Sequence, residues 1–417
     1  MSDMSLSRTP AAIPRSLSSV ETLPDDDRPA RRAAWACALT LAVALGIGRF
    51  AFTPLLPLML AGGELDIRHG GWLASANYAG YFVGALTCAR FMIAPARMVR
   101  AGLAATVLLM LAMGVASPFA VWAGVRFVAG AVSAWTFVFA SQWGLRRLAE
   151  LDAPEWSGVI YTGPGFGIVA TGLLGSALAG QRAAYGWIGF ALLSAVLAAC
   201  VWRVFTPSAA HATVAAGASP TAHAEAAPRG AAGWLVVFYG LPGFGYIITA
   251  TFLPVIARAA LPAGSAWPDL FWPMFGAALI AGALLGARLP IRWDNRALLA
   301  GSCALQAAGV ALGIAWPTVA GFALGSVLLG MPFTAITLFA MREARRLRGE
   351  RAAGLMGYAT ASYGIGQIAG PLVAAPLVAR AGTFAPALGL ASASLVLGAA
   401  GFATMAWRAS SRMRQTR

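Results

Sequence analysis

The sequence predicts an all-α membrane protein, with twelve transmembrane helices in two pseudo-symmetric six-helix halves. Three observations carry that prediction. Apolar residues make up 59% of the 417-residue chain and charged residues only 11%, with a mean hydropathy of +0.72; a soluble domain carries about 25% charged residues. Twelve apolar stretches are long enough to cross a bilayer, which takes about 20 helical residues. The second half also repeats the first at a constant offset. Arg97 aligns with Arg296, Pro118 with Pro317, and Arg146-Arg147-Leu148 with Arg345-Arg346-Leu347.

The elements follow in order. Residues 1–32 are polar and rich in Ser, Pro and Asp, and predict a disordered cytoplasmic tail. Arg31-Arg32 before an apolar run has the look of an export signal. The run from Ala33 to Ala61 is too long for a signal core and more spans follow, so it reads as an uncleaved first helix. Spans over 71–92, 98–117, 119–141, 158–180 and 184–205 complete an N-terminal half, 33–205. An Ala/Pro/Ser-rich cytoplasmic linker follows at 206–233. Spans over 234–257, 268–289, 297–316, 318–341, 354–378 and 384–407 form the C-terminal half, 234–407, before a cytoplasmic tail at 408–417.

Arginine sets the orientation. All 30 basic residues are arginine, and 24 of them fall in the tails, the linker and alternate loops. The opposite loops hold four: Arg68, Arg182, Arg258 and Arg380. Positive residues stay cytoplasmic, so both termini and the linker are expected there. The net charge of +15 is therefore a topology signal, and no nucleic-acid partner is expected. Four cysteines lie far apart within apolar spans and three histidines at a span edge or in the linker, so no disulfide, metal site or cofactor is predicted. Without lysine no GxxxxGK[ST] loop exists, which removes an in-chain ATP motor. No nucleophile–base pair is visible within the spans, so the chain is not read as an enzyme.

Arg49 and Arg126 are the only ionisable residues well inside the spans. An arginine at a helix centre costs roughly 2.5–3.5 kcal/mol on insertion scales, so it faces a bundle interior or a watery cavity. Counting helix rise from each span's start puts both in the middle-to-outer membrane. There the pair could hold an anionic substrate, or each could tie down backbone carbonyls freed by nearby glycine and proline. Asn77 and Tyr81 sit one helical turn apart on one face. With Tyr246 and Gln367 they complete the predicted substrate-binding set of Arg49, Asn77, Tyr81, Arg126, Tyr246 and Gln367. Gln142, Tyr161, Trp272, Tyr358 and Tyr363 are further polar or aromatic span residues, equally open to packing or interfacial roles. Pairs at Gly80/Gly84, Gly282/Gly286, Gly321/Gly325 and Gly366/Gly370 predict close helix packing.

These segments resemble the major facilitator superfamily. Arg126-Phe127-Val128-Ala129-Gly130 is similar to its helix 4 motif. Gly163-Pro164-Gly165-Phe166-Gly167 is similar to its helix 5 glycine–proline motif, with Ile168 where a further glycine is usual. The loop after helix 2 departs from the usual Gly-x-x-x-Asp-Arg-x-Gly: it reads Gly84-Ala85-Leu86-Thr87-Cys88-Ala89-Arg90, without the aspartate. Asp294-Asn295-Arg296 resembles a partial version in the second half. More narrowly, Gly46-Ile47-Gly48-Arg49-Phe50-Ala51-Phe52-Thr53-Pro54-Leu55-Leu56-Pro57 resembles the YbfB/YjiJ-type group. So do Gly71-Trp72-Leu73-Ala74-Ser75-Ala76-Asn77-Tyr78, Tyr239 to Tyr246 and Ala250-Thr251-Phe252-Leu253-Pro254.

The resemblance implies a secondary transporter in a bacterial cell (inner) membrane, working by alternating access. Helices 1, 4, 7 and 10 would line the cavity, and Gly163, Pro164, Gly165, Gly167, Asp294 and Arg296 would serve gating or coupling. The expected cargo is a small organic anion or amphipathic metabolite, with a coupling ion such as a proton as a further partner, in a lipid-embedded monomer. A proton-linked exporter of drug-like compounds and a transporter-shaped receptor without flux are the alternatives.

Overall fold

The computed structural model describes residues 27–90, 93–205, 230–290, 292–349 and 352–415. These residues form helices and turns, and no strand occurs among them. The first half comprises α1 (Arg28–Ala61), α2 (Ile67–Thr87), α3 (Pro95–Val115), α4 (Phe119–Glu150), α5 (Pro154–Ala177) and α6 (Ala183–Trp202). The second comprises α7 (Ala231–Ala260), α8 (Trp267–Arg288), α9 (Asn295–Ala315), α10 (Val319–Arg348), α11 (Ala352–Ala381) and α12 (Ala385–Gln415).

Eleven of the described helices are long and apolar enough to cross a membrane. The twelfth, α2, has the length, about 30 Å for its 21 residues. Arg68, His69 and Asn77 keep its mean hydropathy lower.

Several helices overrun the apolar stretches. α1 starts at Arg28, inside the segment expected to be disordered, and α12 runs to Gln415, through most of the expected C-terminal tail. α4 and α10 likewise continue to Glu150 and Arg348. Hydropathy ends where the bilayer ends, but arginine, alanine and leucine keep a helix going into water. Of the expected linker, 206–229 lies outside the described residues, and α7 already begins at Ala231.

Within each half the same neighbours recur: α2, α3 and α1 pack on α4, and α8, α9 and α7 on α10. The two halves meet chiefly along α2–α11 and α5–α8, with the C-terminal part of α1 against α7. Under the repeat α2 corresponds to α8 and α5 to α11, so the first two contacts are the same interface used twice. Gly80 and Gly84 let α2 lie against the α4 backbone at Phe127 and Ala131, while Gly282 and Gly286 face Met331 and Ala335 of α10. The bundle thus has an arginine-rich end, holding the loops after α2, α4, α8 and α10, and an arginine-poor end.

Candidate functional site

The site begins with a fault in α1. The chain is π-helical over Ala42–Ile47, turns through 48–51 and resumes as α-helix at Phe52. Pro54 has no N–H to give, and the Thr53 N–H turns to the Phe50 carbonyl at 3.1 Å. The Arg49 carbonyl therefore loses its usual helical donor. Arg126 Nη2 of α4 supplies one at 3.2 Å.

The six predicted substrate-binding residues form one connected cluster at mid-depth. Asn77 Nδ2 donates to the Arg126 carbonyl at 2.9 Å, fixing α2 to α4. Arg49 Nη2 donates to Gln367 Oε1 at 2.9 Å, crossing from the first half to the second. Gln367 Nε2 in turn donates to the Tyr246 hydroxyl. The Arg49 guanidinium lies over the Tyr81 ring, 4.0 Å from its centroid, and Arg126 lies over Phe52 at 5.1 Å.

Electrostatically this centre is unbalanced. Arg49 is 5% and Arg126 2% exposed, and among the described residues neither has a carboxylate partner. Buried charges are normally paired. Here hydrogen bonds to neutral groups and aromatic faces stand in for a counterion. The pairing is incomplete on both sides: the donors Arg49 Nε and Arg126 Nε are buried without an acceptor, and the acceptor Asn77 Oδ1 is buried without a donor.

The gating residues fall into two places. Gly163 and Gly167 of α5 face α1, where a Cβ would run into the Ala38 and Ala42 carbonyls, and Gly165 faces Gly276 and Ile280 of α8. Pro164 occupies the first turn of the main α5 helix, where its missing N–H costs nothing. Asp294 and Arg296 lie at the arginine-rich end. Arg296 donates Nε and Nη2 to Asp294 Oδ1 and Oδ2 at 2.9 and 2.8 Å, and its backbone N–H to Oδ1 at 2.9 Å.

Glu343, just beyond the span expected over 318–341, is fully buried on α10. Arg346 donates to it at 2.7 and 2.8 Å, and Arg296 Nε lies 3.8 Å away. The repeat places Pro95 and Gly144 where Asp294 and Glu343 stand, so the first half has neither acid.

Sequence reasoning missed the bonds that close the arginine-poor end. Thr53 Oγ1 donates to the Ala250 carbonyl at 3.0 Å, Tyr78 and Thr251 share a hydroxyl bond at 3.0 Å, and Ser75 Oγ donates to the Ile368 carbonyl at 2.8 Å. Each joins one half to the other. Beyond them lies a cavity of about 880 Å³ among the loops, lined by Glu64, Arg182, Arg258 and Asp269. Toward the arginine-rich end Tyr81 and Tyr363 are half-buried and Thr337 is exposed. Gln142 and Tyr358 are exposed rather than part of the cluster.

A family model described as "Uncharacterised MFS-type transporter YbfB" matches residues 41–402. The chain belongs to this family. No curated relative matches it. Among solved structures, a mutant of the nucleoside transporter NupG aligns with a TM-score of 0.69 at 16% identity, over 89% of this chain and 99% of that one. That likeness shows a shared fold. The protein is accordingly a multi-pass membrane transporter of the major facilitator type, not an enzyme, and it acts on a small molecule.

Proposed function

We propose that the protein carries a small organic anion or amphipathic metabolite by alternating access, with Arg49 as the anchor. One observation carries this reading: two buried guanidiniums at the junction of the halves have no carboxylate partner among the described residues. An anionic substrate supplies the missing charge, and Arg49 already reaches across to Gln367 of the other half. Arg126 contributes from behind by holding the Arg49 carbonyl, and Tyr81 covers the guanidinium face.

In this reading the arginine-rich end faces the cytoplasm, as the charge bias requires. Both termini then lie on the cytoplasmic side of a bacterial inner membrane, and the monomer is the working unit. The tight α1–α5 contact at Gly163 and Gly167 is a surface along which α1 adjusts, while Asp294 and Arg296 hold the α8–α9 turn during rocking. Among the described residues no carboxylate stands near Arg49 for a coupling proton to ride on, and in this reading coupling runs through the substrate's own charge.

The test is thermal stabilisation of the purified protein by a library of organic anions, cations and neutral metabolites, with Arg49→Gln in parallel. A ligand at 100 times its Kd stabilises the folded state by about 2.7 kcal/mol. Anion hits that vanish in Arg49→Gln are expected. Cationic hits, or hits indifferent to the substitution, would make Arg49 purely structural.

A further inference from the structure

Resting on the anion reading just given, we infer that the central site takes a planar aromatic carboxylate. Next to the Arg49–Gln367 pair stands an aromatic face of the second half. Tyr239, Tyr363 and Tyr246 of α7 and α11 form a stacked column, with ring centroids 4.8 and 5.8 Å apart and planes tilted by 30° and 22°. Phe333, where α10 breaks, meets Tyr246 edge-on at 5.1 Å, and Phe50 of α1 meets Trp272 edge-on at 5.9 Å. The second half therefore meets the arginines with flat rings, Tyr363 half-buried and Tyr239, Tyr246 and Trp272 buried behind it, while the first half supplies the charge.

The polar groups point to an occupant rich in acceptors. Arg49 Nε, Arg126 Nε and Trp272 Nε1 are buried donors with no acceptor, against one buried acceptor with no donor, Asn77 Oδ1. Trp272 is wholly buried beside Phe50 and Phe275. An ionised carboxylate only accepts hydrogen bonds, so it answers such a donor excess. A sugar or polyol brings several hydroxyl donors, and among the described residues no carboxylate stands at Arg49 to receive them. A cation would meet two guanidiniums.

The rest of the ligand is set by the aromatic lining. A ring sliding onto the half-buried faces of Tyr363 and Tyr81 gains offset stacking beyond plain burial. Its carboxylate lies toward α1 and its ring toward α7 and α11. Such a ligand touches both halves, which is what couples its binding to their relative rotation.

The experiment is a binding series on the intact wild-type protein: benzoate, cyclohexanecarboxylate, hexanoate and benzamide, followed by Arg49→Gln and Tyr363→Leu. Benzoate is expected to bind about three- to tenfold more tightly than cyclohexanecarboxylate, the range that aromatic pairing provides. Arg49→Gln should erase the preference for benzoate over benzamide. Tyr363→Leu should erase the preference for benzoate over cyclohexanecarboxylate, read as the ratio of the two affinities in the same variant. The wild-type series stands by itself should either variant fail to fold. Equal binding of all three carboxylates overturns the aromatic inference and leaves the Arg49 anchor standing. Equal binding of benzoate and benzamide, indifferent to Arg49→Gln, sinks the anchor and keeps an aromatic pocket. Binding by none of the four overturns both.

Discussion

Gln367 decides how the centre behaves, because its amide serves both halves at once. Its oxygen accepts from Arg49 and its nitrogen donates to Tyr246. A neutral amide leaves the guanidinium charge open for an anion. Gln367→Glu keeps the shape but places a carboxylate where the oxygen stood, so the protein would carry its own counterion. The apo protein should then melt higher, and the stabilisation by anions expected of wild type, about 2.7 kcal/mol at 100 times Kd, should disappear. Melting with and without ligand reads both effects, and a Glu variant that still responds to anions would show that they do not bind at Arg49. Much of this centre was legible in the sequence. Arg49 and Arg126 stand out because a charge inside an apolar run is costly, and Gln367 and Tyr246 because few polar groups interrupt the walls. Tyr78 and Thr251 carried no such signal: a hydroxyl among apolar neighbours is common, and only their pairing across the halves makes them matter.

The helices show where pattern reading ends. Spans, their order and the two-fold repeat follow from hydropathy and arginine placement alone. The π-helical turn in α1 does not, because it arises from tertiary contact: a Cβ on Gly46 would lie 2.5 Å from Gly167 Cα, so α1 and α5 touch backbone to backbone there. The burial of Glu343 was hidden for the same reason, since one arginine comes from its own helix and the other from α9.

At the start of α9, Asp294 gives a pH test. Burial raises its carboxyl, but the side-chain and backbone bonds from Arg296 outweigh that and hold it below the ordinary carboxylate value. A lowered folded-state pKa means the ion pair's contribution is complete above the unfolded value, near pH 4, and is lost as pH falls through the folded value. Asp294→Asn keeps the Oδ1 acceptor of the helix cap and removes the charge together with the Oδ2 acceptor of Arg296 Nη2. Wild type should therefore exceed the variant by about 0.5–1 kcal/mol at neutral pH, with the gap closing below about pH 4. A gap that persists in acid would assign the effect to packing.

If the two halves alternate as proposed, the bonds that join them at the arginine-poor end must break in each cycle. Thr53, Tyr78 and Ser75 of the first half reach Ala250, Thr251 and Ile368 of the second, all between the central cluster and the arginine-poor end. Each is a single neutral hydrogen bond with a net worth of about 1 kcal/mol. Three such bonds close that end without locking it, and the α2–α11 and α5–α8 interfaces remain as the surfaces about which the halves turn. If this end opens once per cycle, tying it shut must stop transport. Ser75→Cys with Ile368→Cys, in a background where Cys37, Cys88, Cys200 and Cys303 are replaced, provides the tie through a short thiol-reactive cross-linker that a reductant cleaves. Uptake into proteoliposomes of any anion identified by melting should fall to background after cross-linking and return on reduction, while each single cysteine variant treated alike keeps its activity. Full uptake by quantitatively cross-linked protein would mean that the arginine-poor end stays closed throughout, and that access alternates somewhere other than across this contact.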